Sequence, residues 1–189
     1  NTSAHVERWL TNLVHMVCHV ARVQADNRDT ILINDIIWRA MNKAKIQSVK
    51  EPTGLTHRDG KRPDGVTLIP WSQGRCLAWD VTVPDTFAAS HLDRTSVTAG
   101  AAAEHAAELK TSKYSDLAAH YDFVPLAVET MGSWSDNALL FVKSLGKRLS
   151  EVTGDRQETF YLLQRISVAI QRCNAICFEG CFEPIDVLF

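Results

Sequence analysis

Apolar residues recur at helical spacing in two stretches near the N-terminus, gather in short β-like runs through the middle, and return to helical spacing towards the C-terminus. AHVERWLTNLVHMVCHVARVQ (4–24) carries the 3.6-residue period of an amphipathic helix. Asp26-Asn27-Arg28-Asp29-Thr30 interrupts it and offers caps to a second helix, ILINDIIWRAMNKAKI (31–46). QSVKEP (47–52) predicts a short strand ended by Pro52, and TGLTHRDGKRP is a polar loop. VTLIPW (66–71) and RCLAWDVTV (75–83), rich in β-branched and aromatic residues around a Ser-Gln-Gly turn, predict a hairpin. A Ser/Thr-rich linker, FAASHLDRTSVTAG, leads into AAAEHAAELKTSKYSDLAAHY (101–121), a strong helix former. FVPLAVET suits a buried strand, MGSWSDN a loop, and NALLFVKSLGKRLSEVT and ETFYLLQRISVAIQRCNAICFE two closing helices.

Helix, helix, three strands, helix, strand, helix, helix is an α/β order. A three-stranded run followed by a helical crossover to a fourth strand implies a mixed sheet with helices packed against it. At 189 residues the chain fits one domain with a real core, and no repeat or low-complexity tract divides it. Residues 1–27 read as an N-terminal helical segment and 28–189 as the main domain. The chain begins at Asn1 rather than Met, with no basic-then-apolar leader, so the expectation is a piece of a longer protein.

A net charge of −2 provides no global basic field, so any nucleic-acid contact must come from local patches. No apolar run approaches the roughly 20 residues that span a bilayer, which excludes a transmembrane helix. Five cysteines in no spaced framework predict reduced thiols and an intracellular protein. Cys173, Cys177 and Cys181 recur every four residues on one helical face, where packed small residues are favoured over a metal site.

Two carboxylates are the strongest chemical signal. Asp64, in Arg62-Pro63-Asp64-Gly65, precedes the first hairpin strand, and Asp80, in Trp79-Asp80-Val81-Thr82, lies within the second. A hairpin sets them side by side. Paired carboxylates near a lysine-bearing helix are what a Mg²⁺-dependent phosphodiesterase needs, because hard oxygen ligands hold the cation that activates water. Asp80 interrupts an apolar run, so its charge needs a cation or a lysine to offset burial. The plainer readings are a Pro-Asp-Gly turn for Asp64 and a solvent-facing position for Asp80.

Lys110 and Lys113 share a helical face, with Tyr114 four residues after Lys110. A cation there could steady a cleaved phosphate, whereas Glu104 and Glu108 would make the same face an ordinary solvated one. His57, Arg58, Lys61 and Arg62 precede Asp64 and form a phosphate-gripping cluster, diluted by Asp59. His5, His15, Cys18 and His19 offer imidazole and thiolate donors, but their apolar helical setting and the lack of a CxxC pair disfavour Zn²⁺. Asp85, Glu51 and Glu129 are further ligand candidates, Glu51 first for its strand position. Trp71 reads as core or rim. No GxxxxGK[ST], GxGxxG, GxSxG or HExxH pattern occurs.

KEPTGLTHRDGKRPDGVTLIPW, GRCLAWDVTVPDTFAASH and AELKTSKYSDL resemble the restriction-like endonuclease domain of non-LTR (LINE-type) retrotransposons, within the PD-(D/E)xK nuclease superfamily. The likeness continues through FVPLAVETMG and LLQRISVAIQRCNA, from about residue 28 onward. It implies an α-β-β-β-α-β restriction-endonuclease-like core with extra terminal helices, and a Mg²⁺ (or Mn²⁺) site built from Asp64, Asp80 and the Val81 backbone carbonyl. It also implies that Lys110 or Lys113 supplies the catalytic cation, and that Arg58, Lys61, Arg62 and Tyr114 contact substrate. The substrate implied is double-stranded DNA, nicked to prime reverse transcription on element RNA by an upstream reverse-transcriptase domain, in the nucleus. Three features depart from the pattern. Thr82 stands where the superfamily lysine sits two residues after the second acid. Ser3 and His5 fall where a zinc knuckle has cysteines. The Arg-His pair that precedes the asparagine helix appears as Arg28-Asp29, ahead of Asn34-Asp35.

Overall fold

The computed structural model describes residues 28–55 and 62–180. In chain order it contains helix α1 (28–43), strands β1 (Ser48–Lys50), β2 (Gly65–Ser72) and β3 (Arg75–Thr82), helices α2 (Leu92–Thr95), α3 (Ala101–Lys113) and α4 (Ser115–Ala118), strand β4 (Asp122–Ala127), and helices α5 (Asp136–Thr153) and α6 (Glu158–Gly180). The sheet order is β1-β2-β3-β4, antiparallel between the first three and parallel between β3 and β4. This is an α/β arrangement with a four-stranded mixed sheet flanked by helices. The expected helix over 4–24 and its candidate zinc donors, together with His57, Arg58, Lys61 and Cys181, lie outside the described residues.

Alternation along β3 assigns the layers. Leu77, Trp79 and Val81 point into a core shared with Ile33, Ile37 and Met41 of α1, Val142 and Leu145 of α5, and Leu162, Ile166 and Ile170 of α6. Side chains of an extended strand alternate faces, so Asp80 emerges on the other side, where α3 lies. There α3 packs through Ala103 and Ala107 against Ala127 of β4. Small residues let the helix lie close to the sheet.

The hairpin turn is tight. Gln73 (φ 48°) and Gly74 (φ 78°) both take positive φ between the paired residues Ser72 and Arg75, the two-residue I′ geometry that matches strand twist. Below the turn the pairing shifts register between Ser72 and Pro70 and again between Pro70 and Val66. The buried Thr67 hydroxyl takes up the break: it accepts the Leu77 N–H at 2.9 Å and donates to the Ile69 carbonyl at 2.8 Å. Pro70, which has no N–H to give a ladder, sits within the irregular part.

Three helix boundaries differ from the sequence expectation. The chain is already helical at 28, so Asp29 and Thr30 belong to α1 rather than to a break before it, and Asp29 is buried. The helix expected to run to Ile46 stops at Lys43. Lys45 turns to φ 59°, while the Ile46 N–H bonds the Met41 carbonyl and the Lys45 N–H bonds the Asn42 carbonyl, both at 2.9 Å. That is a Schellman cap with Lys45 where glycine is usual, and it folds Ile46 back into the core. The helix expected over 101–121 breaks at Tyr114 into α3 and α4, because the buried Tyr114 ring turns towards β3 and packs on Phe123 at 4.9 Å between centroids. The linker before α3 contains the single turn α2, pinned where the Thr95 hydroxyl donates to the Thr86 carbonyl at 2.8 Å.

No helix among the described residues is long and apolar enough to cross a membrane. Cys76 and Cys173 are free thiols, and burial beside Asp29 pushes the Cys173 thiol up to about 12.

Candidate active site

The N–H and C=O of one strand residue point the same way, and the direction alternates along the strand. The Thr82 carbonyl accepts the Val128 N–H at 3.1 Å, which turns Thr82 towards the β4 side. Val81 therefore aims its N–H and carbonyl towards the β2 side, at a level just past Gly65, where β2 begins. Asp64 occupies that end. Its Oδ2 accepts the Val81 N–H at 2.6 Å, so a side chain fills the place of the missing ladder bond. The Asp64 carboxylate and the Val81 carbonyl thus lie along the same edge.

Asp80 is 4% exposed. Its Oδ1 accepts the Tyr114 hydroxyl at 3.3 Å, and that hydroxyl also lies 3.0 Å from the Arg62 carbonyl, to which it can donate. Its Oδ2 meets the ammonium of Lys110 as an ion pair. Among the described residues no donor other than Lys110 reaches that sealed oxygen. The cost of burying a carboxylate is met by a lysine from the opposing helix.

The two acids also act on each other. Burial, followed by the neighbouring Asp80 charge, pushes Asp64 up to about 6, against the opposing pull of the Val81 N–H and Lys110. A carboxyl raised by burial beside a second carboxylate is a recognised mark of functional sites.

The remaining expected residues separate into those gathered here and those turned elsewhere. Lys113 stacks its ammonium over the Tyr114 ring, 4.8 Å from the centroid, so of the two lysines Lys110 is the one brought to Asp80. Tyr114, expected among the substrate contacts, is 1% exposed and is committed to Asp80 and Arg62. It has no surface to offer a substrate. The Arg62 guanidinium pairs with Glu51, first among the further ligand candidates, which is exposed but near enough for its charge also to raise Asp64. Asp85 caps its own turn, accepting the Phe87 N–H at 3.0 Å. Glu129, 1% exposed, accepts the Ala102 N–H at 3.0 Å and the Thr86 hydroxyl at 3.2 Å, so it serves the first turn of α3 rather than the acid pair. Trp71 lies on the core rim under Arg148, whose guanidinium stacks 3.8 Å from the ring centroid.

Asn34, which the resemblance placed on the asparagine helix without a specific contact, is brought to the acids. From α1 its Oδ1 accepts the Trp79 indole N–H at 2.9 Å and its Nδ2 donates to the Asp64 carbonyl at 3.2 Å. The signal was present: Asn34 shares the stripe of Ile37 and Met41, where a polar residue is out of pattern.

Among the described residues no group of three or more His, Cys, Asp and Glu side chains is placed to hold a metal ion. The two carboxylates brought beside each other are Asp64 and Asp80. No protein-family model and no curated protein matches this chain.

Proposed function

We propose that this chain is a divalent-cation-dependent endodeoxyribonuclease with a restriction-endonuclease-like core, working as the nicking domain of a retroelement. One observation carries the reading: a buried Asp80 paired to Lys110 across the sheet–helix gap, beside an Asp64 whose carboxyl is raised by burial and by the Asp80 charge. The element order from α1 to β4, with the short α2 and α4 set aside, and the sequence likeness from residue 28 onward support the same assignment.

The donor set fits a hard cation. Asp80 Oδ2 is a sealed carboxylate oxygen whose partner is the Lys110 ammonium, so a positive charge already sits beside it. Asp64, Asp80 and the Val81 carbonyl would hold Mg²⁺ or Mn²⁺, and Mg²⁺ typically takes one or two carboxylates while keeping several waters. A cation bound there supplies an acidified water and neutralises phosphate charge. Lys110 steadies the charge that develops on the scissile phosphate. It reaches the site from α3, which answers the departure at Thr82, since the position two residues after Asp80 need not carry the lysine. Arg62, with Arg58 and Lys61, grips the phosphates of double-stranded DNA and sets its register.

The test uses the purified chain, Mg²⁺ or Mn²⁺ and supercoiled plasmid. Wild type converts plasmid to the open circle, while Asp64→Ala and Asp80→Ala do not. Equal nicking by all three overturns the assignment. Salt-sensitive DNA binding without any metal-dependent nicking would instead mark a nuclease-fold module that only binds.

A further inference from the structure

We propose that Asn34 is a positioning residue that sets the separation between the two acids, and so the affinity of the site for a divalent cation. This rests on reading Asp64 and Asp80 as the metal pair, and it adds a residue on the far side of the sheet from Lys110.

Asp64 lies one residue beyond the last β2–β3 pair, Gly65 with Trp79, where a strand end is free to fray. Only a few bonds fix its main chain. The Asp64 carbonyl accepts the Glu51 N–H at 2.9 Å and Nδ2 of Asn34 at 3.2 Å. The same amide accepts the Trp79 indole N–H through Oδ1 at 2.9 Å. Asn34 is therefore bonded to one acid directly and to the immediate neighbour of the other. Trp79 completes the clamp, because its indole covers Gly65, the residue after Asp64. The clamp belongs to the core layer, and Asn34 is 7% exposed there. It acts on the placement of the carboxylates from behind the sheet and touches neither carboxylate oxygen.

A merely structural amide and a positioning amide predict different results. The first lowers stability only. The second also weakens cation binding, since partners one layer out from metal ligands typically govern roughly 10- to 100-fold of affinity.

The experiment measures Mn²⁺ binding to the full chain by calorimetry, without DNA, for wild type, Asn34→Ala, Trp79→Phe and Ile37→Val. Circular dichroism at the titration temperature establishes which variants are folded. Asn34→Ala is expected to bind Mn²⁺ about tenfold more weakly, with its metal-free DNA affinity unchanged. Ile37→Val, a core change in the same helix, is expected to lower the melting temperature and leave Mn²⁺ affinity alone. Wild-type Mn²⁺ affinity in folded Asn34→Ala overturns the proposal. Should that variant not fold, Trp79→Phe decides: it removes the indole N–H that orients the amide, so unchanged affinity there overturns the proposal and weakened affinity supports it. If wild type itself takes up no Mn²⁺, the metal pair falls and this inference with it, a result distinct from equal binding by wild type and variant.

Discussion

Gly65 lies against the indole of Trp79, so close that a Cβ at position 65 would come within 2.0 Å of a ring carbon. One residue follows Asp64 and the other precedes Asp80, so this contact locks the spacing of both acids from the core side. Gly65→Ala must displace either the indole or the start of β2. Overpacking of this kind costs about 1–3 kcal/mol or more. A fall in the denaturant midpoint of that order checks it, and an unchanged midpoint goes against the close contact.

The two lysines of α3 are expected to behave unequally. Lys110 pairs with Asp80, while Lys113 stacks on Tyr114. Lys110→Ala should lower metal-dependent nicking about 10²- to 10³-fold, the usual loss when one charge-stabilising donor is removed. Lys113→Ala should change it far less. Single-turnover nicking rates separate the two, and a reversed order would reassign the catalytic cation.

The same pair predicts an asymmetry in stability. Lys110→Ala strands the charge of Asp80, which is 4% exposed, whereas Asp80→Asn leaves a partly exposed lysine that can turn to water. Removing one partner of a buried pair is harmful chiefly to the charge that stays buried. The melting temperature is expected to fall further in Lys110→Ala than in Asp80→Asn, although both lose activity.

Proton linkage at Asp64 has a definite sign. In the fold its carboxyl is pushed from 3.8 up to about 6, burial being the main cause and the Asp80 charge the next. Between those values the folded chain holds more proton than the unfolded one. Metal-free stability therefore falls as pH rises from about 4 to about 6 through this group and is level above that. A cation requires the ionised carboxylate, so Mn²⁺ binding near pH 6 releases part of a proton and binding near pH 8 releases almost none. Calorimetry in buffers of different ionisation enthalpy reads this directly. Identical heats across buffers at the lower pH would contradict it.

Glu129 is expected to matter for α3 rather than for metal. Its buried carboxylate serves the Ala102 and Ala103 N–H groups and the Thr86 hydroxyl. Glu129→Ala should cost about 1–2 kcal/mol of stability, the scale of a lost helix cap, with Mn²⁺ affinity retained. A loss of Mn²⁺ affinity without destabilisation would return Glu129 to the ligand candidates.

Much of this fold was legible because the local pattern and the tertiary outcome agree. Richness in β-branched and aromatic residues marked β2 and β3, the Ser-Gln-Gly turn marked the hairpin, and the period of α5 and α6 survives intact. Where the two diverge, a tertiary contact wins. Tyr114 ends α3 because its ring and hydroxyl are needed at Asp80, and no local propensity encodes that. The acids themselves were visible as polar breaks in apolar runs. The choice of Lys110 over Lys113 depends on the placement of α3 over β3, which spacing along one helix cannot supply. The resemblance pointed to the asparagine helix, but the contacts of Asn34 were not readable, since both of its partners lie far along the chain.

The register break in the hairpin has a consequence for how this architecture can vary. β2 uses more residues over Gly65–Ser72 than β3 uses over Arg75–Trp79, and the surplus is absorbed around Thr67 and Pro70. Which β2 residue meets Trp79, and so whether Asp64 falls beside Asp80, is therefore decided in mid-strand, and loop variation at the hairpin tip leaves that register alone. A one-residue deletion between Thr67 and Trp71 strikes at it directly, whereas an insertion beside Gly74 lengthens only the tip. Length tolerance and chemical intolerance thus lie a few residues apart on one ribbon.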